Sequence, residues 1–563
     1  MANNPTKEQK QDVLPVLLYW LILLSPFLFG LFFPWTSAAV SIVLTAVLLL
    51  RLKKRQLYWS PSPVHFAASG LVLFLLLGTV WGTDRGMALV GAVQFLPLPL
   101  FVMTLEQLSP EQRETLIPAV WQGACLMVPL ALILSRIFPG EGWFLVSGRQ
   151  AGFFQYPNTY ALYLLCGVVT LLFGKVSRFG PIPWLAVLML GIALSGSRTV
   201  FVLLAAVLII AALCEKQRLR RLQLIGLLAA ILLAGFIFVV ITGSRTGIGR
   251  FLSISLGSSE FLGRLLYAYD ALPVILKHPL GIGYTGYQWL QGSFQTGVYT
   301  VSHVHNDLLQ VLLDAGWIPA LMLLCVLGRS FVSPKTGCCR RAMMTVIALH
   351  VLVDFDLQFV AVALLLLFAA DTEPQASRTI HRTALPTAAL LVGLICSLWI
   401  GSASLCCYLG RYDQAAVVYP GYTTALVRSI SDASEEEENK IAEQILKLNG
   451  NVAPAWRVRA RSAYREGKLN DYLEAEEQVL RLSKYSLPRY TECFQELRQA
   501  YELCLQRGDR SSAELCLKAL AAIPQRLKTV ETQTSRLGWM IRDLPKLSLP
   551  ADMLQWLQTH VHS

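Results

Sequence analysis

Charge is scarce in this chain. Only 15% of its 563 residues are charged, against roughly 25% in a soluble domain, while 54% are hydrophobic. That shortfall, with apolar runs of about 18 residues or more, excludes an ordinary soluble fold and marks a polytopic membrane protein. Metal and disulfide spacings of cysteine are missing as well. Most of the twelve cysteines lie inside apolar runs (Cys125, Cys166, Cys214, Cys325, Cys396), and Cys338-Cys339 and Cys406-Cys407 are adjacent pairs. No zinc site or disulfide framework follows from such a pattern. A basic stripe interleaved with aromatics is lacking, so the net charge of +12 does not point to nucleic acid. Basic cytoplasmic loops account for it better. The first apolar run has no small-residue cleavage site and reads as a span, not a removable signal.

What is present is a series of thirteen apolar spans, near 13–33, 36–50, 65–81, 87–104, 115–137, 158–173, 181–196, 199–214, 222–242, 307–327, 342–353, 359–370 and 384–403. The second, eleventh and twelfth are short, so twelve to thirteen transmembrane helices are expected. Basic clusters follow the even-numbered spans: Arg51 to Arg55, Lys175 and Arg178, Lys216 to Arg221, Arg329 to Arg341, and Arg378 with Arg382. With a cytoplasmic N-terminus all of these loops are cytoplasmic, as the positive-inside bias requires. The expected organisation is N-terminal transmembrane helices over 1–242, an external loop over 243–306, further helices over 307–403, and an external helical domain over 404–563. The fold class is all-α throughout. In the charged tail three stretches recur loosely around Gly410, Gly467 and Gly508, each glycine opening a second helix with an alanine and then a proline beyond. That is the style of tetratricopeptide hairpins, and such a stack presents a concave surface for a polymer or a protein partner.

The residues suited to chemistry gather in the external segments. Arg198 stands between two apolar runs with almost no loop, on the side where the charge bias disfavours arginine. Arg264 lies on an amphipathic helix near 260–272. The glycines of Pro279-Leu280-Gly281-Ile282-Gly283 permit unusual backbone angles or the close approach of a ligand. His303 and His305 precede the span that starts at Asp307, and Asn306 is a good helix cap and orienting partner. An imidazole in water titrates near 6.5 and accepts protons at ordinary external pH. Arg149 sits in a further external loop that ends at Asn158. Guanidinium groups match phosphate oxygens in bidentate fashion. The set therefore suits an anionic lipid head group such as a diphosphate, with a histidine as base. No aspartate pair at metal-binding spacing occurs in these loops, so no metal or cofactor is expected.

At these residues the chain resembles the O-antigen ligase and O-antigen polymerase superfamily of bacterial membrane glycosyltransferases, over about residues 12–370. Four features carry the resemblance: Arg149 to Gly152 with Pro157-Asn158; Ser197-Arg198; Arg264 followed by Pro279-Leu280-Gly281-Ile282-Gly283; and His305-Asn306 with Gly316. Pro319 stands where the family pattern often has glycine, threonine or tyrosine. The resemblance implies transfer of a glycan from undecaprenyl diphosphate to an acceptor hydroxyl outside the cytoplasmic membrane, with inversion and without metal or nucleotide sugar. It implies that Arg198 and Arg264 hold the diphosphate and that His305 is the base. Arg149, Asn158, Gly281, Gly283 and Asn306 would complete the substrate site. The acceptor would be a glycan, a lipid or, in a protein-targeted oligosaccharyltransferase, a protein. A transporter of polysaccharide or lipid would instead need ionisable residues within the spans; His350, Asp354, Asp356 and Asp314 are the main ones. A membrane-anchored scaffold would leave Arg198, Arg264 and His305 without a role.

Overall fold

The computed structural model describes residues 13–561 apart from 60, 141, 175–181, 228, 230–258, 373–377 and 381–382. Most of the expected span 222–242, and the start of the external segment with Arg245, lie outside the described residues. In lipid every backbone polar group must be bonded within the chain, which leaves helices as the local solution for these apolar runs. Five described helices are long and apolar enough to cross a bilayer: Pro34–Lys53, Pro63–Trp81, Met87–Leu105, Pro110–Ile137 and Ala384–Tyr408. Six shorter apolar helices join them, at Leu14–Phe27, Pro157–Phe173, Ile182–Ser195, Arg198–Cys214, Trp317–Val332 and Val360–Ala369. The protein is an all-α, multi-pass membrane protein.

Three runs depart from the expected spans. The first is helical only over Leu14–Leu24 and continues as two 3-10 turns, where Phe29, Gly30 and Leu31 all take positive φ. The second, expected to be short, is a helix of 20 residues, Pro34–Lys53, about 30 Å long at 1.5 Å per residue. The run 307–327 is not one helix. It breaks into Asp307–Ala315 and Trp317–Val332 at Gly316, whose φ is +85°. Pro319 falls in the first turn of the second piece, where a missing N–H costs no helical hydrogen bond.

The chain divides into two compact units. One comprises Met1–Gly70, Gln94–Ile254 and Met322–Leu398; the other comprises Leu71–Val93, Ser255–Leu321 and Trp399–Ser563. In the first unit, loops that follow even-numbered spans bond to one another. Tyr58 N–H donates to Gln107 Oε1 (2.9 Å), Ser62 N–H to Glu106 Oε1 (2.8 Å) and Arg113 Nη1 to Thr372 Oγ1 (3.1 Å). Strand Tyr58–Trp59 pairs antiparallel with Arg378–Thr379, with Tyr58 opposite Thr379. Loops that follow odd-numbered spans bond among themselves at Arg149, Ser195, Asn158 and Asp354. This sorting by parity is what an alternating chain path through a bilayer produces.

The second unit joins the segment before His305 to the tail. Three glycines of the tail end helices in the same way. The N–H groups of Gly410 and Arg411 donate to the carbonyls of Cys407 and Cys406; those of Gly467 and Lys468 donate to Tyr464 and Ala463; those of Gly508 and Asp509 donate to Leu505 and Cys504. Each glycine has φ between +70° and +75°. This is one helix-ending motif used three times, and it needs a residue without Cβ strain. Five residues after each glycine, Ala415, Tyr472 and Ala513 are buried. Pro524 does not end the third hairpin as expected. Helix Arg510–Gln533 runs through it, because Cys516, Leu520, Ile523, Leu527 and Val530 keep one buried face on both sides.

Asp84 ties the short turn after Pro63–Trp81 to this tail. Its Oδ1 accepts from Met87 N–H (3.0 Å) and Thr423 Oγ1 (2.9 Å), and its Oδ2 from Asn449 Nδ2 (3.2 Å). Burial pushes the carboxyl up from 3.8 to about 6. The folded state thus holds this proton more tightly than the unfolded chain does. Its contribution is complete below the unfolded value and disappears as pH rises through about 6. Docking of residues 420–450 should therefore weaken between pH 4 and pH 8, by up to roughly 3 kcal/mol. Hydrogen exchange across that stretch measures it, and Asp84→Asn should flatten the dependence; equal protection at both pH values would contradict the assignment.

Candidate functional site

In the second unit the site is built on helix Ser259–Lys277, which is longer than the sequence pattern suggested. Arg264, Tyr267 and Asp270 recur at three-residue spacing and share a face of it. Asp270 is buried, and it organises the loop that follows. Its Oδ2 accepts from Thr296 N–H (2.8 Å) and Tyr299 Oη (2.9 Å), and its Oδ1 accepts from Thr296 Oγ1 (2.6 Å). Burial raises this carboxyl above its ordinary range, against the pull of those donors. The ring of Tyr267 lies 4.6 Å from that of Tyr299 and 5.8 Å from the imidazole of His305. Neither Tyr267 nor Asp270 was singled out from sequence. The available signal was an acid at helical spacing from Arg264 on an amphipathic helix.

Burial and the neighbouring His305 push His303 down to about 3, so it stays neutral and accepts protons poorly. His305 is half-buried and has φ +54°, a region non-glycine residues rarely occupy. Such strain persists only where the surroundings fix it, and it clusters at working sites. The next residue, Asn306, caps helix Asp307–Ala315 by accepting from Leu309 N–H (3.0 Å). Gln310 fixes the loop above, its Oε1 accepting from Val304 N–H (2.9 Å).

The other end of that helix meets the Pro279–Gly283 turn. Ile282 N–H donates to the Leu313 carbonyl (2.6 Å), and Trp317 N–H to the Pro279 carbonyl (3.0 Å). Gly281, Gly283 and Gly316 all have positive φ. A Cβ on Gly281 would meet Gly316 N at 2.8 Å, and one on Gly316 would meet Leu280 C at 2.5 Å. A Cβ on Gly283 would meet Gly82 Cα at 3.0 Å. The need for glycine at all three positions is thus met by backbone lying against backbone.

In the first unit Arg149 leaves a hairpin whose two-residue turn, Ser147-Gly148, has both φ positive, matching the twist of its strands Leu145–Val146 and Arg149–Gln150. Arg149 Nε donates to the Ser195 carbonyl (2.7 Å), and Nη2 to Asn158 Oδ1 (2.7 Å). Asn158 Nδ2 in turn donates to Asp354 Oδ2 (2.7 Å), whose Oδ1 accepts from Tyr156 Oη (2.8 Å). Ser195 ends one helix, Gly196 turns with φ +61°, and Arg198 opens the next helix. Arg149 is therefore anchored to the same short turn that carries Arg198. Asp356 accepts from Thr159 Oγ1 (2.6 Å) and faces His350 Nδ1 at 2.5 Å. Arg149, Asn158 and Arg198 thus belong to one unit, and Arg264, Gly281, Gly283, His305 and Asn306 to the other. Among the described residues no group of three His, Cys, Asp or Glu side chains is poised to hold a metal ion.

Residues 183–325 match the family model of O-antigen ligase. The chain carries an O-antigen ligase domain. No curated protein matches the chain. The ligase domain contains Arg198, Arg264, Gly281, Gly283, His305, Asn306 and Gly316; Arg149, Asn158 and the tail lie outside it. It gives the protein an O-antigen ligase- or polymerase-like role in the assembly of cell-surface glycans.

The interlock inside the ligase domain is open to test. Gly316 has φ +85° and ψ −171°, a conformation essentially reserved for glycine. Gly316→Ala should cost about 2 kcal/mol or more from strain and overlap. A lower thermal midpoint of the purified protein, with lost protection at Leu309 to Leu313, is the expected result. A wild-type midpoint would remove the interlock from the account.

Proposed function

We propose that the chain transfers a glycan from undecaprenyl diphosphate to an acceptor hydroxyl on the extracytoplasmic face of the membrane. In this reading the acceptor oxygen attacks the anomeric carbon and its proton passes to His305. The bond from that carbon to the diphosphate oxygen breaks, and undecaprenyl diphosphate leaves with the electron pair. Attack opposite the leaving group inverts the centre. Arg198 and Arg264 hold the diphosphate and stabilise the charge that grows on it. Arg149, positioned through Asn158 and Asp354, adds a third guanidinium. No metal takes part, and no nucleotide sugar is consumed.

The observation that carries this reading is the setting of His305: strained, half-buried, beside Tyr267, one residue ahead of a capped helix, within the matched ligase domain. His303, pushed down to about 3 by burial and its neighbour, is a poor base. A transport reading has less support. Asp354 and Asp356 lie in the loop between helices Cys338–His350 and Val360–Ala369, where their carboxylates are bonded to Tyr156, Asn158, Thr159 and His350.

General-base help is worth roughly 10²–10⁴ in rate. His305→Ala should lower transfer from carrier-linked glycan by at least about 100-fold, while the protein still inserts and accumulates. His303→Gln should retain most of the activity. Purified protein with carrier-linked glycan and acceptor, assayed for product and released carrier diphosphate, gives the measurement. Full activity in His305→Ala would end the proposal.

A further inference from the structure

Where the tail meets the loop before His305, the second unit holds a cavity of about 420 Å³. That is within the range of small-molecule sites, about 300–1,000 Å³. It lies beside the contact of helix Gly286–Phe294 with helix Leu469–Leu482, where Gly292 lets the two backbones touch: a Cβ there would overlap the Leu482 carbonyl oxygen. Its lining is unusual for so basic a chain. Among the described residues that line it none is charged. Instead it combines aromatic rings (Trp289, Tyr299, Tyr485) with amides and hydroxyls. The amides of Gln288 and Gln295 make no hydrogen bond within the described protein, although Gln295 is only 7% exposed.

We propose that this cavity is a binding site for the sugar units of a glycan chain. A pyranose offers many neutral hydroxyls and a face of C–H groups. Unoccupied amides suit the first and aromatic rings the second. A nucleotide or a phospholipid head group would bring charge into a lining that has none to oppose it. An acyl chain would bury free amides without partners. An adjoining cavity of about 500 Å³ shares Ala453, Pro454 and Ser483 with it but is lined by Arg457, Arg461, Arg489 and Glu492, so the neutral lining ends there. Tyr299 lines the cavity with its ring 4.6 Å from that of Tyr267, whose own ring lies 5.8 Å from His305. A glycan held here has its end led toward the candidate base. The inference thus deepens the transfer reading by giving the tail a substrate-holding role.

The test uses the full-length protein in nanodiscs and a lipid-free probe: neutral oligosaccharides released by mild acid from the host's carrier-linked glycan, as a ladder of lengths. Wild type should bind, with affinity rising along the ladder. Gln288→Ala with Gln295→Ala should weaken binding about tenfold, as the loss of two hydrogen bonds implies. Ser486→Trp, which fills the cavity, should abolish it. In transfer assays these variants should raise KM for the chain that lies in the cavity, acceptor or carrier-linked donor, and leave KM for the other unchanged. Equal binding by wild type and both variants, or no binding by wild type, would overturn the proposal. His305→Ala should bind the ladder as wild type does. An active His305→Ala with intact, variant-sensitive binding would sink the transfer reading alone; an inactive one with variant-insensitive binding would sink the cavity alone.

Discussion

The short helix Asp307–Ala315 is fixed at both ends, and the placing of His305 follows from that. Nine residues are too few to hold a helix in water without tertiary help. Asn306 satisfies an N–H at its start, and Gly316 stops it by turning where only glycine fits. The Pro279–Gly283 turn then closes on that stop, glycine against glycine. The separated motifs Pro-x-Gly-x-Gly and His-Asn…Gly are therefore two halves of one mechanical joint. With both ends held, the backbone ahead of the cap tolerates φ +54° at His305. The strain is maintained by the frame, not by the histidine.

Much of this was legible one residue at a time. An asparagine before an acidic, apolar run announces a cap, and paired glycines after a proline announce positive φ. The alternation of basic loops gave a chain path that the loop-to-loop hydrogen bonds of the first unit repeat. What stayed hidden depends on partners distant in sequence. The break at Gly316 interrupts a run that is apolar on both sides, and only the turn 33 to 37 positions earlier explains it. Asp270 reads as a solvated residue on an amphipathic helix until Thr296 and Tyr299 are found on it. Asp354 was visible only as an acid near a span end; its bond to Asn158 crosses 196 positions. Pro524 misled because a proline weakens a helix locally, while burial of the face on either side outweighed that loss.

The tail is built into the loop before His305 at the level of single hydrogen bonds. Thr296, whose hydroxyl proton goes to Asp270, also has its Oγ1 within 2.9 Å of the Ser535 hydroxyl and accepts from Ser535 N–H (3.0 Å) on its carbonyl. Gly538 and Gly297 approach so closely that a Cβ on either would overlap the other segment. Leu262, Leu266, Tyr299 and Ile541 form a common apolar cluster around these bonds. The tail provides one wall for helix Ser259–Lys277, and Asp270 connects that wall to the segment that leads to His305.

The distribution of charge then separates two kinds of work. A diphosphate is a concentrated anion, and only groups that remain cationic at every accessible pH hold it through the change of charge as the bond breaks; arginine does so. A neutral sugar chain has no charge to offer in return. Any lysine or carboxylate facing it in a cavity would be partly desolvated with no ionic partner, which costs more than a hydroxyl contact returns. A groove that must hold many sugar units, and release them as a chain moves on, gains from numerous weak neutral contacts. Hence a chain with 48 Lys and Arg residues excludes them from the lining beside Tyr299 and, in the transfer reading, relies on Arg198 and Arg264 for the diphosphate. In the glycan-holding reading, that neutrality matches the chemistry of an uncharged sugar chain.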